Sequence, residues 1–241
     1  MGTIKKLARR MLNNVAPWPF WEQARFEIRM FRLRIRRPKI ERRNAQMRDV
    51  MVNVGAGGSG WPGWINIDAV AAPNIAICCD CRSRLPLPDG AARGVFSEHF
   101  LEHLDYDSEA PSFVRECFRV LRPGGTLRLV VPDAERYLRA YCEEGWAPLI
   151  ALRDLRPDQT DPWVQTRLKT KMELVNVVFR QFGQHKFAYD LETLELLLRQ
   201  AGFIRVERSS CGVSREPGMA IDQVARAHES LYVEASKPAK T

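Results

Sequence analysis

Short apolar runs alternate with amphipathic stretches along most of the chain, and this alternation predicts a fold of the α/β class. The first run, Val50–Val54, is apolar and rich in β-branched side chains, as expected for a buried strand. Six further runs complete the set of predicted strands, at 64–67, 75–79, 94–97, 126–131, 203–208 and 231–235. Helical spacing predicts helices from residue 108 and over 134–144, 167–182 and 191–201.

A glycine-rich loop follows the first predicted strand and contains Gly55, Gly57, Gly58 and Gly60. Glycine tolerates a positive φ and lets a ligand approach the backbone closely. Asp68 ends the second predicted strand 13 positions after Gly55, whereas NAD enzymes place their acid about 20 residues on and need a long helix in between. Pro62 leaves no space for that helix, and without a helix N-terminus a pyrophosphate is poorly held. The pattern therefore favours a ligand with a ribose but no phosphate, of which S-adenosylmethionine is the commonest, with Asp68 accepting both ribose hydroxyls.

Five motifs occur in one order between residues 50 and 133: VNVGAGG, INID, an acid (Asp80) before LPLPDG, EHFLEHL and LRPGGTLRLVVPD. In this order and spacing they resemble the class I (Rossmann-like) S-adenosylmethionine-dependent methyltransferases. The resemblance implies a seven-stranded, mostly parallel sheet in the order 3-2-1-4-5-7-6. It also implies that the last strand is antiparallel and that helices flank the sheet.

The same resemblance implies which residues hold S-adenosylmethionine and its product, S-adenosylhomocysteine. In this family the acid after the third strand, here Asp80, accepts from the adenine amino group, and the N–H of the next residue, Cys81, meets the ring. A carboxylate suits this role because it only accepts hydrogen bonds; a helix-capping role for Asp80 is the structural alternative. The predicted cofactor-binding residues are Asn53, Gly55, Ala56, Gly57, Asp68, Ala69, Asp80, Cys81 and Ser97.

The net charge of +8 is unevenly distributed. Residues 1–48 hold 14 Lys and Arg against three Glu and carry +11, so residues 49–241 carry −3. We therefore predict a basic N-terminal arm (1–48) and a catalytic domain (49–241). Within the arm, residues 4–12 predict one amphipathic helix. The spacing of Trp21, Ala24, Ile28, Phe31 and Ile35 predicts a second, although residues 31–36 also alternate as a strand does.

A short, basic, aromatic and amphipathic arm is typical of a helix that lies on an anionic membrane surface. The alternative is a solvated arm that packs on its own domain or on the partner subunit of a homodimer. Nucleic acid is disfavoured as a partner, because no stretch resembles a known binding module and the domain is acidic. No window is apolar enough to span a membrane, and the N-terminus lacks the apolar region of a signal peptide.

Six cysteines occur without the spacing of a disulfide framework. Cys78 and Cys81 form a CxxC, but no second CxxC or histidine pair follows, so we predict sheltered thiols and no metal site. Reduced cysteines predict a cytoplasmic protein, peripheral at most to the inner face of the membrane.

Methyl transfer to a hydroxyl benefits from a general base, and histidine is the usual choice because its pKa lies near neutrality. His99 lies at the end of the fourth predicted strand, and His185 lies in a polar and aromatic loop, 183–189. Both are candidates for the base, with Glu98 and Asp133 as orienting or alternative groups. For each histidine, a hydrogen-bonded structural role is the competing hypothesis. Residues 134–189 predict a helical cover over the acceptor.

Motifs that are absent exclude some classes of methyl acceptor, and motifs that are present favour another. Ser97-Glu98-His99-Phe100 stands where enzymes that methylate nucleobase amines carry Asn/Asp-Pro-Pro-Tyr, and no Pro-Cys is placed for pyrimidine chemistry. GWINID, EHFLEHL and ESLYVE resemble a bacterial type-11-like subgroup tied to glycan and polysaccharide assembly. This resemblance implies O-methylation of a sugar hydroxyl of a glycan, polysaccharide or glycolipid precursor. The alternatives are a small-molecule, lipid or RNA acceptor, and a non-catalytic partner protein that only binds the cofactor.

Overall fold

The computed structural model describes residues 18–58, 60–152 and 168–240. Its strands are β1 (Val50–Val54), β2 (Ile65–Asp68), β3 (Ile77–Cys78), β4 (Ala92–Glu98), β5 (Leu121–Pro132), β6 (Ile204–Arg208) and β7 (Ser230–Ser236). The helices are α1 (Trp18–Asn44), α2 (Glu109–Val120), α3 (Ala134–Cys142), α4 (Ala147–Leu152), α5 (Lys171–Arg180) and α6 (Leu191–Gln200). A 3₁₀ turn, Leu101–His103, follows β4.

The seven strands form one sheet in the order β3-β2-β1-β4-β5-β7-β6. The strands pair in parallel except for β7, which runs antiparallel to both β5 and β6. The predicted α/β class, the Rossmann-like strand order and the antiparallel last strand are therefore confirmed.

Both faces of the sheet are covered, which explains why its central strands are nearly continuous apolar runs. On one face, residues such as Val52, Val95 and Leu129 pack with buried side chains of α2 and α6. On the other face, Met51 and Phe96 pack with a smaller group that includes Val130, Met219 and Tyr232.

The carboxyl ends of the parallel strands lie along one edge of the sheet, where ligands bind in open α/β folds. Gly55 follows β1, Asp68 ends β2, Asp80 lies two residues beyond β3, and Glu98 ends β4. The strand order thus brings the predicted cofactor residues to one edge.

Some element boundaries differ from those expected. The third strand is reduced to Ile77–Cys78, and β5 begins at Leu121, five residues earlier than predicted. The helix predicted over 134–144 ends at Cys142. The one predicted over 167–182 is observed as Lys171–Arg180, and residue 167 lies outside the described residues.

Helix α1 confirms the second predicted helix of the arm, so the strand interpretation of residues 31–36 is wrong. It packs on the chain's own domain through Ile40, which contacts the main apolar cluster, and its Met30 and Leu33 are buried, at 1% and 7% exposed. At its end, Nδ2 of Asn44 donates to the carbonyl of Pro86 at 2.9 Å. The first predicted arm helix, at 4–12, lies outside the described residues.

The apolar stripe predicted for α1 lies on its outer side. Ile28, Phe31 and Ile35 are 53%, 62% and 63% exposed. Among the described helices, none combines the length and the apolar character that crossing a membrane requires.

The region predicted as a cover contains helices α3, α4 and α5. Their inward side chains form a separate apolar cluster around Tyr137, Leu149, Leu174 and Val178. This cluster makes the three helices a small packed unit between β5 and α6; its role as a cover stays a prediction.

Candidate cofactor site and active site

The glycine loop and Asp68 meet at the ends of β1 and β2. The N–H of Gly57 donates to Oδ2 of Asp68 at 2.8 Å, and the N–H of Val70 donates to Oδ1 at 2.7 Å. Because each carboxylate oxygen has two lone pairs, both oxygens can still accept a hydroxyl. The structure thus brings together the two halves of the predicted ribose site.

Two glycines of the loop adopt left-handed backbone conformations, with φ of 74° at Gly55 and 57° at Gly57. A Cβ on Gly55 would lie 2.5 Å from Cγ of Phe100, so the Phe100 ring packs directly against the loop. At Gly57, by contrast, no heavy atom of the described residues other than its chain neighbours lies within 4 Å of the Cβ position. The loop therefore has space for a ligand beside Gly57, which fits the predicted cofactor.

Asn53 and Ala56 hold the loop in place. The buried Asn53 donates from Nδ2 to Oδ1 of Asn66 at 3.3 Å, linking β1 to β2. The N–H of Ala56 donates to the carbonyl of Ile67 at 3.2 Å. These hydrogen bonds fix the backbone of the loop relative to β2. Direct contact of Asn53 or Ala56 with the cofactor stays a prediction.

Ala69 and Ser97 also lie on this edge of the sheet. The carbonyl of Ala69 accepts from the Cys78 thiol at 3.3 Å. Ser97 is 2% exposed, and its hydroxyl has no hydrogen-bond partner within the described ranges. Ser97 is thus a buried polar group with unused hydrogen-bonding capacity near the glycine loop.

Asp80 is bonded to two guanidinium groups. Arg34 of α1 donates to Oδ2 from Nε and from Nη2, each at 2.7 Å, and Arg82 donates from Nε to Oδ1 at 3.0 Å. Although burial opposes the shift, the contacts with Arg82 and Arg34 lower the pKa of Asp80. An adenine amino group could bind this carboxylate only by displacing Arg34 from Oδ2. No helix begins between residues 79 and 91, so the capping alternative is wrong.

The arm helix is also anchored next to this carboxylate. Glu27 of α1 accepts two hydrogen bonds from Arg82, at 2.9 and 3.0 Å. Arg82 in turn lies over the ring of Phe26, 4.9 Å from its centroid. The loop after β3 is therefore held by the arm at the end where the adenine is expected.

The CxxC forms no disulfide, since all six cysteines are free. Cys79 and Cys81 are buried, and burial raises the pKa of the Cys78 thiol. The N–H of Cys81 lies beside Asp80, and its contact with adenine stays a prediction.

His99 directly follows β4 and has a positive φ of 51°, which is uncommon for a residue other than glycine. Its Nδ1 lies 3.1 Å from Oε1 of Glu102, and its Nε2 lies 2.9 Å from the hydroxyl of Ser230. Nη1 of Arg226 also lies 3.4 Å from Nδ1, and Ser230 is fully buried. A carboxylate beside one ring nitrogen and a hydroxyl beside the other are contacts that can orient a general base. Glu98 instead accepts from the N–H of Gln223 at 3.1 Å, and burial raises the pKa of Glu98.

His185 is 9% exposed and lies on the other side of Glu102. Its Nδ1 donates to the carbonyl of Val178 at 2.6 Å, and its Nε2 lies 4.0 Å from Oε1 of Glu102. Burial lowers the pKa of His185, so its ring is neutral near pH 7. Both predicted histidines therefore surround one buried carboxylate, that of Glu102.

Asp133 has structural contacts. Its Oδ1 caps α3 by accepting from the N–H of Arg136 at 3.2 Å, and its Oδ2 lies 3.0 Å from Nη1 of Arg208. Because both oxygens of this fully buried side chain are engaged, the orienting or alternative catalytic role predicted for Asp133 finds no support.

Residues 62–129, from just after the glycine loop to a point within β5, match the sequence model of a methyltransferase domain family. The chain is therefore similar to a methyltransferase domain over this part of its length. The cofactor that this similarity implies is S-adenosylmethionine, and the residues that fit it are those of the glycine loop and Asp68.

The comparison with curated proteins covers only a short part of the chain. A probable S-adenosylmethionine-dependent methyltransferase of Mycolicibacterium smegmatis is 39% identical over 61 residues. This stretch covers 25% of the present chain and 23% of the relative, so the chain matches less than a quarter of the relative's length.

Solved S-adenosylmethionine-dependent methyltransferases resemble the chain over more of its length. One from Thermotoga maritima is 14% identical, with 90% of this chain and 95% of that chain covered and a TM-score of 0.46. One from Aquifex aeolicus is 15% identical, with coverages of 83% and 88% and a TM-score of 0.43. Because both scores are below 0.5, the fold rests on the strand order observed in this chain and not on these similarities.

The sequence analysis did not identify two residues beside the candidate site, Glu102 and Arg34. Glu102 lies three positions after His99 in the EHFLEHL motif, and this spacing on a helical turn could have indicated it. Arg34 is one of 14 basic residues in the arm, and no local pattern distinguishes it from the others.

Proposed function

We propose that this chain transfers the methyl group of S-adenosylmethionine to a sugar hydroxyl of a glycan, polysaccharide or glycolipid precursor. The observation that carries the proposal is the placement of His99 between the buried carboxylate of Glu102 and the hydroxyl of Ser230. A hydroxyl acceptor must lose a proton during the transfer, and this pair supplies a base at the carboxyl end of β4, next to the glycine loop.

S-adenosylmethionine supplies an electrophilic methyl group when it is bound. Asp68 and the glycine loop hold the ribose end, and Phe100 packs against Gly55 between the loop and the acceptor end. His99 accepts the acceptor's proton at Nε2, the nitrogen that faces the Ser230 hydroxyl. Glu102 then stabilises the resulting imidazolium from the Nδ1 side.

His99 is favoured over His185 as the base for a geometric reason. The two side chains are similarly buried, at 12% exposed for His99 and 9% for His185, but Nδ1 of His185 is bonded to the carbonyl of Val178 and not to a carboxylate. A base must reach its proton within hydrogen-bonding distance, and Nε2 of His185 faces the Glu102 carboxylate at 4.0 Å.

The sugar acceptor is supported by the resemblance of GWINID, EHFLEHL and ESLYVE to glycan-associated methyltransferases, which is an analogy. An acceptor carried on a lipid would also give helix α1 a role. The exposed side chains of Ile28, Phe31 and Ile35 lie beside a stripe of arginines that includes Arg32 and Arg36. An apolar stripe beside a basic one complements an anionic membrane, so the protein is peripheral to such a membrane.

Co-sedimentation with vesicles tests the membrane part of the proposal. The full chain should bind vesicles that contain phosphatidylglycerol and not vesicles of phosphatidylcholine alone. Phe31→Glu combined with Ile35→Glu should abolish binding while circular dichroism stays unchanged. Equal binding by the variant and the parent protein would contradict the proposed contact between α1 and the membrane.

Incubation with S-adenosylmethionine labelled on its methyl group tests the activity. Separate acceptor pools of sugars and polysaccharides, lipid-linked sugars, lipids and RNA distinguish the candidate substrates. His99→Gln should lower transfer by about 10²–10⁴-fold without changing cofactor affinity, whereas the exposed His228→Gln should change neither. Label in RNA or simple lipids would contradict the sugar acceptor, and cofactor binding without label in any pool would contradict enzymatic activity.

A further inference from the structure

Three side chains with metal-ligating atoms converge beside the predicted base. Glu102 and His103 come from the 3₁₀ turn after β4, and His185 comes from the segment after α5. One donor atom from each lies within 4.8 Å of the other two, and the two imidazole rings are 4.7 Å apart. The cluster therefore joins two elements that are more than 80 positions apart in the sequence.

The two histidines are held in the tautomer that a metal ligand requires. Nδ1 of His103 lies 3.2 Å from the carbonyl of Gln184, and Nδ1 of His185 lies 2.6 Å from the carbonyl of Val178. A carbonyl oxygen only accepts, so each Nδ1 carries the proton and each Nε2 keeps its lone pair. Histidines that bind metals commonly donate their other ring N–H to a backbone carbonyl in this way.

The carboxylate of Glu102 is buried and has one close partner. The side chain is 1% exposed, and Nδ1 of His99 lies 3.1 Å from its Oε1. Nε2 of His185 lies 4.0 Å from the same oxygen, beyond hydrogen-bonding distance, and Oε2 has no hydrogen-bond partner within the described part of the chain. A bound cation would supply the partner that this buried oxygen lacks.

We propose that Glu102, His103 and His185 bind one divalent transition-metal ion. Two imidazoles and one carboxylate suit Zn²⁺, Fe²⁺ or Co²⁺ better than Mg²⁺, which prefers oxygen ligands and keeps several waters. Tetrahedral Zn²⁺ with bonds of about 2.0–2.1 Å brings its ligand atoms to about 3.3 Å from one another. The observed limit of 4.8 Å is longer, so the three side chains would have to rotate towards the ion to bind it.

Three protein ligands leave a fourth position open, which is the pattern of a catalytic rather than a structural ion. This role rests on the proposed function, because the ion would share Glu102 with Nδ1 of the proposed base, His99. An acceptor hydroxyl bound to the ion would have a lowered pKa and would lose its proton more easily. The ion would thus select an acceptor by its hydroxyl oxygen and activate it.

Metal binding by the full chain, without cofactor or acceptor, tests the site itself. After removal of metals with a chelator, titration calorimetry with Zn²⁺ should show one site per chain. His185→Gln and His103→Gln should each weaken this site by on the order of 100-fold. His228→Gln, which replaces an exposed histidine outside the cluster, should bind Zn²⁺ as the parent protein does.

Co²⁺ gives a second measurement that needs no variant and separates this cluster from the cysteines. The Co²⁺-loaded protein should show visible absorption of a nitrogen- and oxygen-ligated ion, without the near-ultraviolet band of thiolate ligation. No stoichiometric binding, a thiolate band, or binding of Mg²⁺ alone would overturn the proposal.

The labelled methyl-transfer assay then separates the metal site from the proposed function. Methyl transfer that persists in a protein unable to bind metal overturns the metal site and leaves the function standing. One bound Zn²⁺ per chain without methyl transfer to sugars supports the metal site and overturns the sugar acceptor. Loss of transfer on chelation, restored by Zn²⁺ or Co²⁺, supports both.

Discussion

Replacing Arg34 by glutamine should strengthen cofactor binding, although Arg34 lies in α1, outside the region that is similar to a methyltransferase domain. Both Nε and Nη2 of Arg34 donate to Oδ2 of Asp80, the oxygen that Arg82 reaches only at 3.2 Å. If the Asp80 carboxylate accepts the adenine amino group, the cofactor must first displace Arg34. Arg34→Gln removes this competition and leaves the Arg82 contacts that keep Asp80 charged.

The expected gain is small because one partner of the ion pair is partly in water. The Arg34 side chain is 44% exposed, whereas that of Asp80 is 1% exposed. Ion pairs with an exposed partner contribute about 0–1 kcal/mol, and the two short contacts from Arg34 to Oδ2 place this one near the upper end. A competing interaction of about 1 kcal/mol corresponds to about a fivefold gain in affinity.

Titration calorimetry with S-adenosylhomocysteine measures this effect directly. Arg32→Gln is a matched control, because it removes the same charge from an exposed position of the same helix. Arg34→Gln should bind about fivefold more tightly than Arg32→Gln. Equal affinities would show that Arg34 does not compete with the ligand, and weaker binding by Arg34→Gln would make Arg34 part of the adenine site instead.

Two further substitutions test the ribose site and the core. Asp68→Asn should weaken S-adenosylhomocysteine binding by about 10–100-fold, because hydrogen bonds to a charged group contribute about 1.5–3 kcal/mol. Titration calorimetry measures the affinity, with Asp107→Asn, at an exposed position, as the control. An unchanged affinity would contradict the ribose assignment of Asp68. Arg128→Met should lower the free energy of unfolding by about 3–5 kcal/mol. The guanidinium of Arg128 lies 2.6 Å from the carboxylate of Asp222 and 2.9 Å from that of Glu234, and its removal leaves both buried charges without a cationic partner. Urea denaturation with the exposed Arg115→Met as control measures it, and a loss below about 1 kcal/mol would contradict this account.

The sheet and the ribose site could be predicted because their signals are local. A buried parallel strand must be a short apolar run, and β1 is such a run directly before the glycines that its turn requires. Asp68 could be identified because it lies at the end of the next apolar run. These residues are close in sequence, so pattern and spacing alone place them together.

The contacts of Asp80 could not be predicted, because they are set by packing between distant segments. Arg34 is 46 positions from Asp80 and reaches it only because α1 packs beside the loop that follows β3. The amphipathic pattern of the arm predicted its helix correctly, but it placed Phe31 and Ile35 on a side that is exposed. The face that contacts the domain is instead marked by Met30 and Leu33 and by ion pairs, which leave no periodic signal.

The strand order separates the two charged centres of this site and predicts that they act independently. Asp80 follows β3, and Glu102 follows β4, with β2 and β1 between these strands. At about 4.8 Å between neighbouring strands, three spacings correspond to about 14 Å along the sheet edge. Perturbations more than about 7–10 Å apart that share no partner are usually additive. Freeing Asp80 from Arg34 should therefore change cofactor affinity without changing metal affinity at Glu102, so each centre can be tested in the background of the other's variant.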